Sequence, residues 1–317
     1  MYITYALFVA GFIILIKGAD YLVEGAASIA KKYGWSSLFI GLTIVAFGTS
    51  APELFVNIIA SINGNSGIAV GNILGSNISN ILLILGTAAL VHPLVVRTNT
   101  ISKEIPLSLL AIIVLGVLVN DQIITSAHEN ILSRADGLIL IFFFCIFLYY
   151  VAGIRKGGDD TLTIKTYKTL TAIGMVALGL VGLTLGGKWI VEGGVVIAGQ
   201  LGLSEELIGL TIIAIGTSLP ELATSAVAAY KGNTDMAIGN VVGSNIFNIF
   251  WVLGVSSLIQ PIAFSQALNF DILTVVLVTV VLLISIYIGT RYVLSRREGY
   301  SFIILYIIYI AFLIYRG

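Results

Sequence analysis

The sequence predicts an all-α, polytopic membrane protein: ten transmembrane helices arranged as two inverted five-helix repeats. Three observations carry that prediction. First, 58% of the 317 residues are hydrophobic and only 10% are charged, with a mean hydropathy of +1.06. Soluble domains carry about 25% charged residues. A soluble surface of this size could not be covered, which excludes a soluble enzyme or nucleic-acid binder. Second, apolar segments long enough to cross about 30 Å of hydrocarbon recur along the whole chain. Third, the chain resembles itself at a fixed offset. Lysine plus arginine and aspartate plus glutamate each number 16, so no net field draws in an anionic polymer. The single cysteine, Cys145, excludes a disulfide framework or a multi-cysteine metal centre and reads as a packing or lipid-facing residue.

The apolar segments lie at 2–30, 36–60, 67–90, 104–120, 135–153, 168–199, 205–229, 235–259, 270–290 and 299–315. The first basic residue is Lys17, so no charged leader region precedes the first segment. Basic residues then set orientation. The odd-numbered connections hold twelve, among them Lys31, Lys32, Arg97, Lys103, Lys231 and Arg291; the even-numbered connections and the termini hold only Arg134 and Arg316. Positive-inside bias puts the odd connections in the cytoplasm and both termini outside a cell membrane.

Residues 18–93 lie on 186–261 at a constant offset of 168 without a gap, with 36 identities in 76 positions. Five spans separate the two copies. Five is odd, so the copies face opposite ways, an arrangement of many secondary transporters. A duplication kept only for packing would preserve apolar positions, whereas here the most similar positions are polar. The organisation read from this is a first repeat over 1–152, a short polar cytoplasmic linker over 153–167, and a second, inverted repeat over 168–317.

The densest identity falls on two motifs. Gly-Thr-Ser-x-Pro-Glu occurs at 48–53 and 216–221, and Gly-Asn-x-x-Gly-Ser-Asn at 71–77 and 239–245. Glu53 and Glu221 sit well inside apolar spans, where a carboxylate is costly and by default marks function. Pro52 and Pro220 cannot donate to the carbonyl four residues back, so carbonyls near Ala46–Gly48 and Ala214–Gly216 are expected to be freed, with Gly48 and Gly216 easing local unwinding. Thr49 and Ser50 share the helical face of Glu53, as Thr217 and Ser218 share that of Glu221. The result is an all-oxygen cluster suited to hard cations such as Ca²⁺, and ill suited to zinc or copper. Asn72, Ser76 and Asn80 add a stripe at i, i+4, i+8, repeated by Asn240, Ser244 and Asn248. For Asn72, Asn77, Asn240 and Asn245, interhelical hydrogen bonding and cation contact are both open. Lys17 with Asp20 and Glu24, and Lys188 with Glu192, have the spacing of local ion pairs. No intramembrane histidine could activate Ser50 or Ser218, so no enzyme is expected.

The paired motifs resemble the α-repeats of the calcium/cation antiporter superfamily, and within it the prokaryotic sodium/calcium exchangers. The resemblance covers both repeat regions. It implies a ten-helix bundle with four central cation sites and antiport by alternating access, Na⁺ against Ca²⁺, with H⁺ against Ca²⁺ at the same glutamates as the alternative. It implies Ca²⁺ held by Glu53 and Glu221 with the Thr49 and Thr217 carbonyls. Na⁺ would use Ala46, Thr49, Ser50 and Ser244 on one side and Ala214, Thr217, Ser218 and Ser76 on the other, with Asn80 and Asn248 completing the centre. Some relatives, including potassium-dependent exchangers, carry Asp where this chain has Asn248, which argues against K⁺ co-transport. The ions and the bilayer are the only partners implied, with no cofactor, no nucleic acid and no protein partner.

Overall fold

The structure, a computed structural model, describes residues 2–98, 100–124, 128–155, 165–200, 214–288 and 290–316. Its main helical elements are α1 (Tyr2–Tyr33), α2 (Ser37–Thr49), α3 (Ala51–Ile62), α4 (Ser66–Val91), α5 (Thr100–Leu118), α6 (Arg134–Gly153), α7 (Thr169–Gln200), α8 (Ala214–Thr217), α9 (Leu219–Tyr230), α10 (Thr234–Ile259), α11 (Gln266–Ile288) and α12 (Arg296–Arg316). Among the described residues eight helices are long and apolar enough to cross a membrane, nine when α2 and α3 count as one bent span. The start of the expected seventh span, 205–213, and most of the linker lie outside the described residues. The other expected segments appear within about four residues of their limits, as helix ends usually do.

Burial sorts the helices into layers. In α4 and α10 more than two thirds of the spanning window is buried, against 17% in α12 and 28% in α6. The two helices that carry the Gly-Asn-x-x-Gly-Ser-Asn motif therefore lie at the centre, and the uniformly apolar ones form the lipid-facing shell. The long helices α1 and α7 lie against each other backbone to backbone. Gly11, Gly18 and Gly25 recur every seventh residue on α1: Gly11 meets Gly186 of α7, Gly18 meets Gly179 and Gly182, and Gly25 meets the Ala172 carbonyl; a Cβ on Gly18 would come within 2.8 Å of the Leu183 backbone nitrogen. Only glycine permits that approach, the small-residue packing expected in lipid. Among the described residues four helices carry π-helical turns, at Gly41–Val45, Asn80–Ile84, Thr100–Glu104 and Phe247–Leu253. Such turns widen the backbone and are frequent at functional sites.

The connections sort into two connected sets. In one, Leu94–Val95 pairs antiparallel with Val293–Leu294. Arg97 pairs with Asp235 at 2.5 Å, and the Ser36 N–H donates to the Arg155 carbonyl at 2.9 Å. In the other, Ile131–Leu132 pairs with Ile262–Ala263, and Gln266 donates to Gln122 at 2.6 Å. The Ala263 N–H donates to Ser66 at 3.2 Å. Every contact of the first set joins odd-numbered connections of the sequence reading, and every contact of the second joins even-numbered ones.

The local ion pairs need one correction. Asp20 and Glu24 pair with Lys231, the latter at 2.9 Å, instead of with the exposed Lys17 on their own helix. The chain brings Lys231 to them from the α9–α10 connection, so a tertiary partner outcompetes the neighbour one turn away. Tyr167 joins this cluster, donating to Glu24 at 2.8 Å, and that bond raises the phenol's pKa further above its usual value. The Lys188–Glu192 pair forms as expected, at 3.7 Å and largely exposed.

Candidate cation site

The site is built by two broken helices. α2 and α3 meet at Ser50 with a bend of 44°. Pro52, in the first turn of α3, has no N–H for the Gly48 carbonyl, and Ser50 leaves helical geometry at φ −83°, ψ 5°. The second copy repeats the device: Ser218 has φ −88° and ψ 3°, and Pro220 opens α9. The break places Glu53 in the first turn of α3 and Glu221 in the first turn of α9. The positive end of a helix dipole favours a carboxylate there. That explains how two glutamates, each 1% exposed, stand in the core without a lysine or arginine bonded to either among the described residues. The Pro-Glu pair in a first turn was readable in the sequence as a helix-start signal.

The two halves meet at these carboxylates. Ser50 Oγ donates across to Glu221 Oε1 at 3.2 Å, where an N-terminal serine would ordinarily cap its own helix. Thr49 and Ser244 stand near the same carboxylate, and Glu53 lies within electrostatic reach of Glu221. Thr49 Oγ1 also has the Val45 carbonyl at 3.1 Å and Asn240 Oδ1 at 3.1 Å within reach.

What the cluster leaves unpaired is its most telling property. Glu53 Oε2, Glu221 Oε2, Ser76 Oγ, Ser218 Oγ, Ser244 Oγ, Asn80 Oδ1 and Asn248 Oδ1 are buried without a hydrogen-bond partner among the described residues. Leaving a buried polar atom unmade costs about 1–3 kcal/mol each, so seven such atoms on the residues of the two repeated motifs call for a ligand. All seven are oxygens, the donor set of a hard cation. Among the described residues no group of three His, Cys, Asp or Glu could hold a metal ion, so the neutral oxygens would have to complete any coordination sphere.

The remaining expected residues fall as follows. Ala46 is buried and lies on α2, but its carbonyl already accepts the Ser50 N–H at 3.0 Å, which corrects the expectation that this carbonyl is freed. Gly48 and Gly216 are needed for room as well. A Cβ there would meet Leu180 at 2.4 Å and Val191 at 2.1 Å, both side chains of α7. Thr217 is half-buried at the end of α8, and Ala214 opens that helix. Asn72 and Asn240 are engaged in packing bonds, to Asn57 at 3.2 Å and Ser225 at 2.9 Å. The sequence reading passed over Asn57, Thr224 and Ser225; their positions, one turn beyond the glutamates, were the available signal. It also passed over Glu104, fully buried at the start of α5 and bonded by the Tyr150 hydroxyl.

The profile of the family described as "Sodium/calcium exchanger protein" matches residues 3–153 and 171–315. The chain is 41% identical over 300 residues to the protein named "Putative antiporter CaxA" of Alkalimonas amylolytica, covering 91% of this chain and 92% of that one. It is 32% identical over 346 residues to the sodium/calcium exchanger MaX1 of Methanosarcina acetivorans, covering 98% of each. A solved structure of the sodium-calcium exchanger NCX_Mj soaked with Na⁺ and Ca²⁺ superimposes with a TM-score of 0.84 at 33% identity, over 98% of both chains. The chain is thus a multi-pass transmembrane protein of the cation/calcium antiporters, and it belongs to the sodium/calcium exchanger family.

Proposed function

We propose that the chain exchanges Na⁺ for Ca²⁺ across the cell membrane by alternating access, electrogenically. The observation that supports this best is the set of seven oxygens on the two repeated motifs, two of them from carboxylates of opposite halves, that are buried without a hydrogen-bond partner among the described residues. Two ionised glutamates carry −2, so one Ca²⁺ makes the site neutral and three Na⁺, the count the resemblance implies, leave it at +1. One cycle then moves one net charge, worth about 2.3 kcal/mol per 100 mV. Glu53 and Glu221 hold Ca²⁺ with the Thr49 and Thr217 carbonyls. Na⁺ is held by Ala46, through the carbonyl lone pair that the Ser50 N–H leaves free, with Thr49, Ser50 and Ser244 on one side, and by Ala214, Thr217, Ser218 and Ser76 on the other, with Asn80 and Asn248 at the centre.

The architecture proposed for this cycle is ten spans in two inverted repeats, 1–152 and 168–317, joined by the linker at 153–167. The sorting of odd connections with odd and even with even supports it, because an even number of spans separates the members of every pair. The Tyr5 hydroxyl bonded to Gln200 places the first end of α1 beside the last end of α7, as the same topology requires. The basic odd connections face the cytoplasm and the termini face outside.

The test is ⁴⁵Ca uptake into proteoliposomes loaded with Na⁺ at fixed pH. An outward Na⁺ gradient should drive uptake, and a membrane potential should bias it. Uptake driven by a proton gradient and indifferent to Na⁺ would instead establish H⁺/Ca²⁺ antiport at the same glutamates.

A further inference from the structure

We infer that Asn77 and Asn245 are positioning residues: each fixes the amide of a central asparagine from the opposite half so that its oxygen, and not its NH₂, faces the cation. The inference rests on the exchanger reading of the site. Asn248 Nδ2 donates to Asn77 Oδ1 at 3.0 Å, and Asn80 Nδ2 donates to Asn245 Oδ1 at 2.9 Å. Asn77 in turn donates to the Asn245 carbonyl at 3.3 Å, which holds its own amide in the accepting orientation. All four side chains are at most 2% exposed.

The chemistry of the amide gives this arrangement its meaning. An asparagine turned by 180° about its last torsion presents two N–H donors where it presented an acceptor. A cation is attracted by the one face and repelled by the other. Asn80 and Asn248 each have their Nδ2 engaged and their Oδ1 unpartnered among the described residues, so the crossed pairs select the attractive face in both halves. Phe247 packs its neighbour in place, against Phe47 at 5.8 Å and Phe144 at 4.9 Å between ring centres. Because each pair joins the two halves, the orientation holds only while α4 and α10 are in register.

A carboxylate has two equivalent oxygens and needs no such orientation, which supplies the test. Ca²⁺ binding to the purified protein is measured by equilibrium ⁴⁵Ca binding, with thermal unfolding recorded alongside. Asn77→Leu should weaken Ca²⁺ binding by roughly three- to tenfold, the worth of one hydrogen bond, while the Asn77→Leu penalty should vanish in an Asn248→Asp background. A loss of equal size in both backgrounds would show that Asn77 only supports the fold, and an unchanged affinity in Asn77→Leu would show that it orients nothing. Either result overturns the inference. If Asn77→Leu does not fold, the mirrored cycle of Asn245→Leu against Asn80→Asp gives the same readout. Loss of binding in Glu53→Ala serves as the separate check on the site itself. Unchanged Ca²⁺ binding there would overturn the exchanger reading, and the inference with it.

Discussion

Replacing Gly216 by alanine should lift α7 off the second Gly-Thr-Ser turn. A Cβ at 216 would sit 2.1 Å from Val191 Cγ2, where ordinary contact begins near 3.4 Å. Valine in a helix has one strongly preferred rotamer, so it cannot swing aside cheaply. The helix that carries it must shift instead. Overpacking of this kind costs about 1–3 kcal/mol, and the size of the overlap points to the upper end. Alanine returns about 1 kcal/mol of helix propensity over glycine. The balance of about 2 kcal/mol is roughly a thirtyfold change in the equilibrium that seats α7 over the site. Gly48→Ala should cost less, because the group it meets is the end of Leu180, which has a second torsion to turn. The measurements are thermal unfolding in detergent and Na⁺-driven ⁴⁵Ca uptake. Gly216→Ala should lower both, and adding Val191→Ala should restore them. A Gly216→Ala protein as stable and active as the parent, or one that Val191→Ala does not rescue, would refute the steric argument.

Glu53→Ala and Glu221→Ala should each abolish Ca²⁺ exchange in proteoliposomes without unfolding the protein, since each removes one of two compensating charges along with its oxygens. Protons compete with cations for those carboxylates, and each bound proton cancels one negative charge. Exchange measured between pH 8 and pH 5 should therefore fall as the pH falls, and a flat profile would contradict this. Asn248→Asp adds a third negative charge, which leaves the Ca²⁺-loaded site at −1 unless another cation joins it. Flux at clamped voltage, with and without K⁺ and at two pH values, should then reveal K⁺ or proton sensitivity that the parent lacks. Tyr150→Phe deprives the buried Glu104 of its hydroxyl donor and should cost about 1–3 kcal/mol of stability, read by thermal unfolding with exchange preserved in the folded fraction.

Much of this site could be read from the chain because its chemistry is local. Pro52, Glu53, Thr49 and Ser50 lie within one and a half helical turns, so spacing alone puts them together. The repeat then doubled the signal at Pro220 and Glu221. What stayed illegible depends on the other half of the chain. Ser50 serves Glu221 instead of its own helix, Lys231 reaches Asp20 and Glu24 from a distant connection, and Asn77 turns the amide of Asn248. No spacing rule connects residues 171 or 207 positions apart. The glycines show the same limit. Gly48 and Gly216 suggested backbone freedom, and the structure adds a reason that only the packing of α7 could supply.

The two short strand pairs bear on how the chain is made. Leu94–Val95 and Ile131–Leu132 emerge from the ribosome well before Val293–Leu294 and Ile262–Ala263 exist to pair with them. During that interval Glu53 is in the membrane before Ser218, Ser244 or Asn248 has been synthesised. The first half is thus an incomplete object that carries a costly carboxylate until α10 arrives, and strand edges that stay open until the residues after α10 and α11 follow. Its lifetime in that state is set by translation, and a chain stalled before α10 would present the kind of exposed intramembrane polarity that marks a protein for removal.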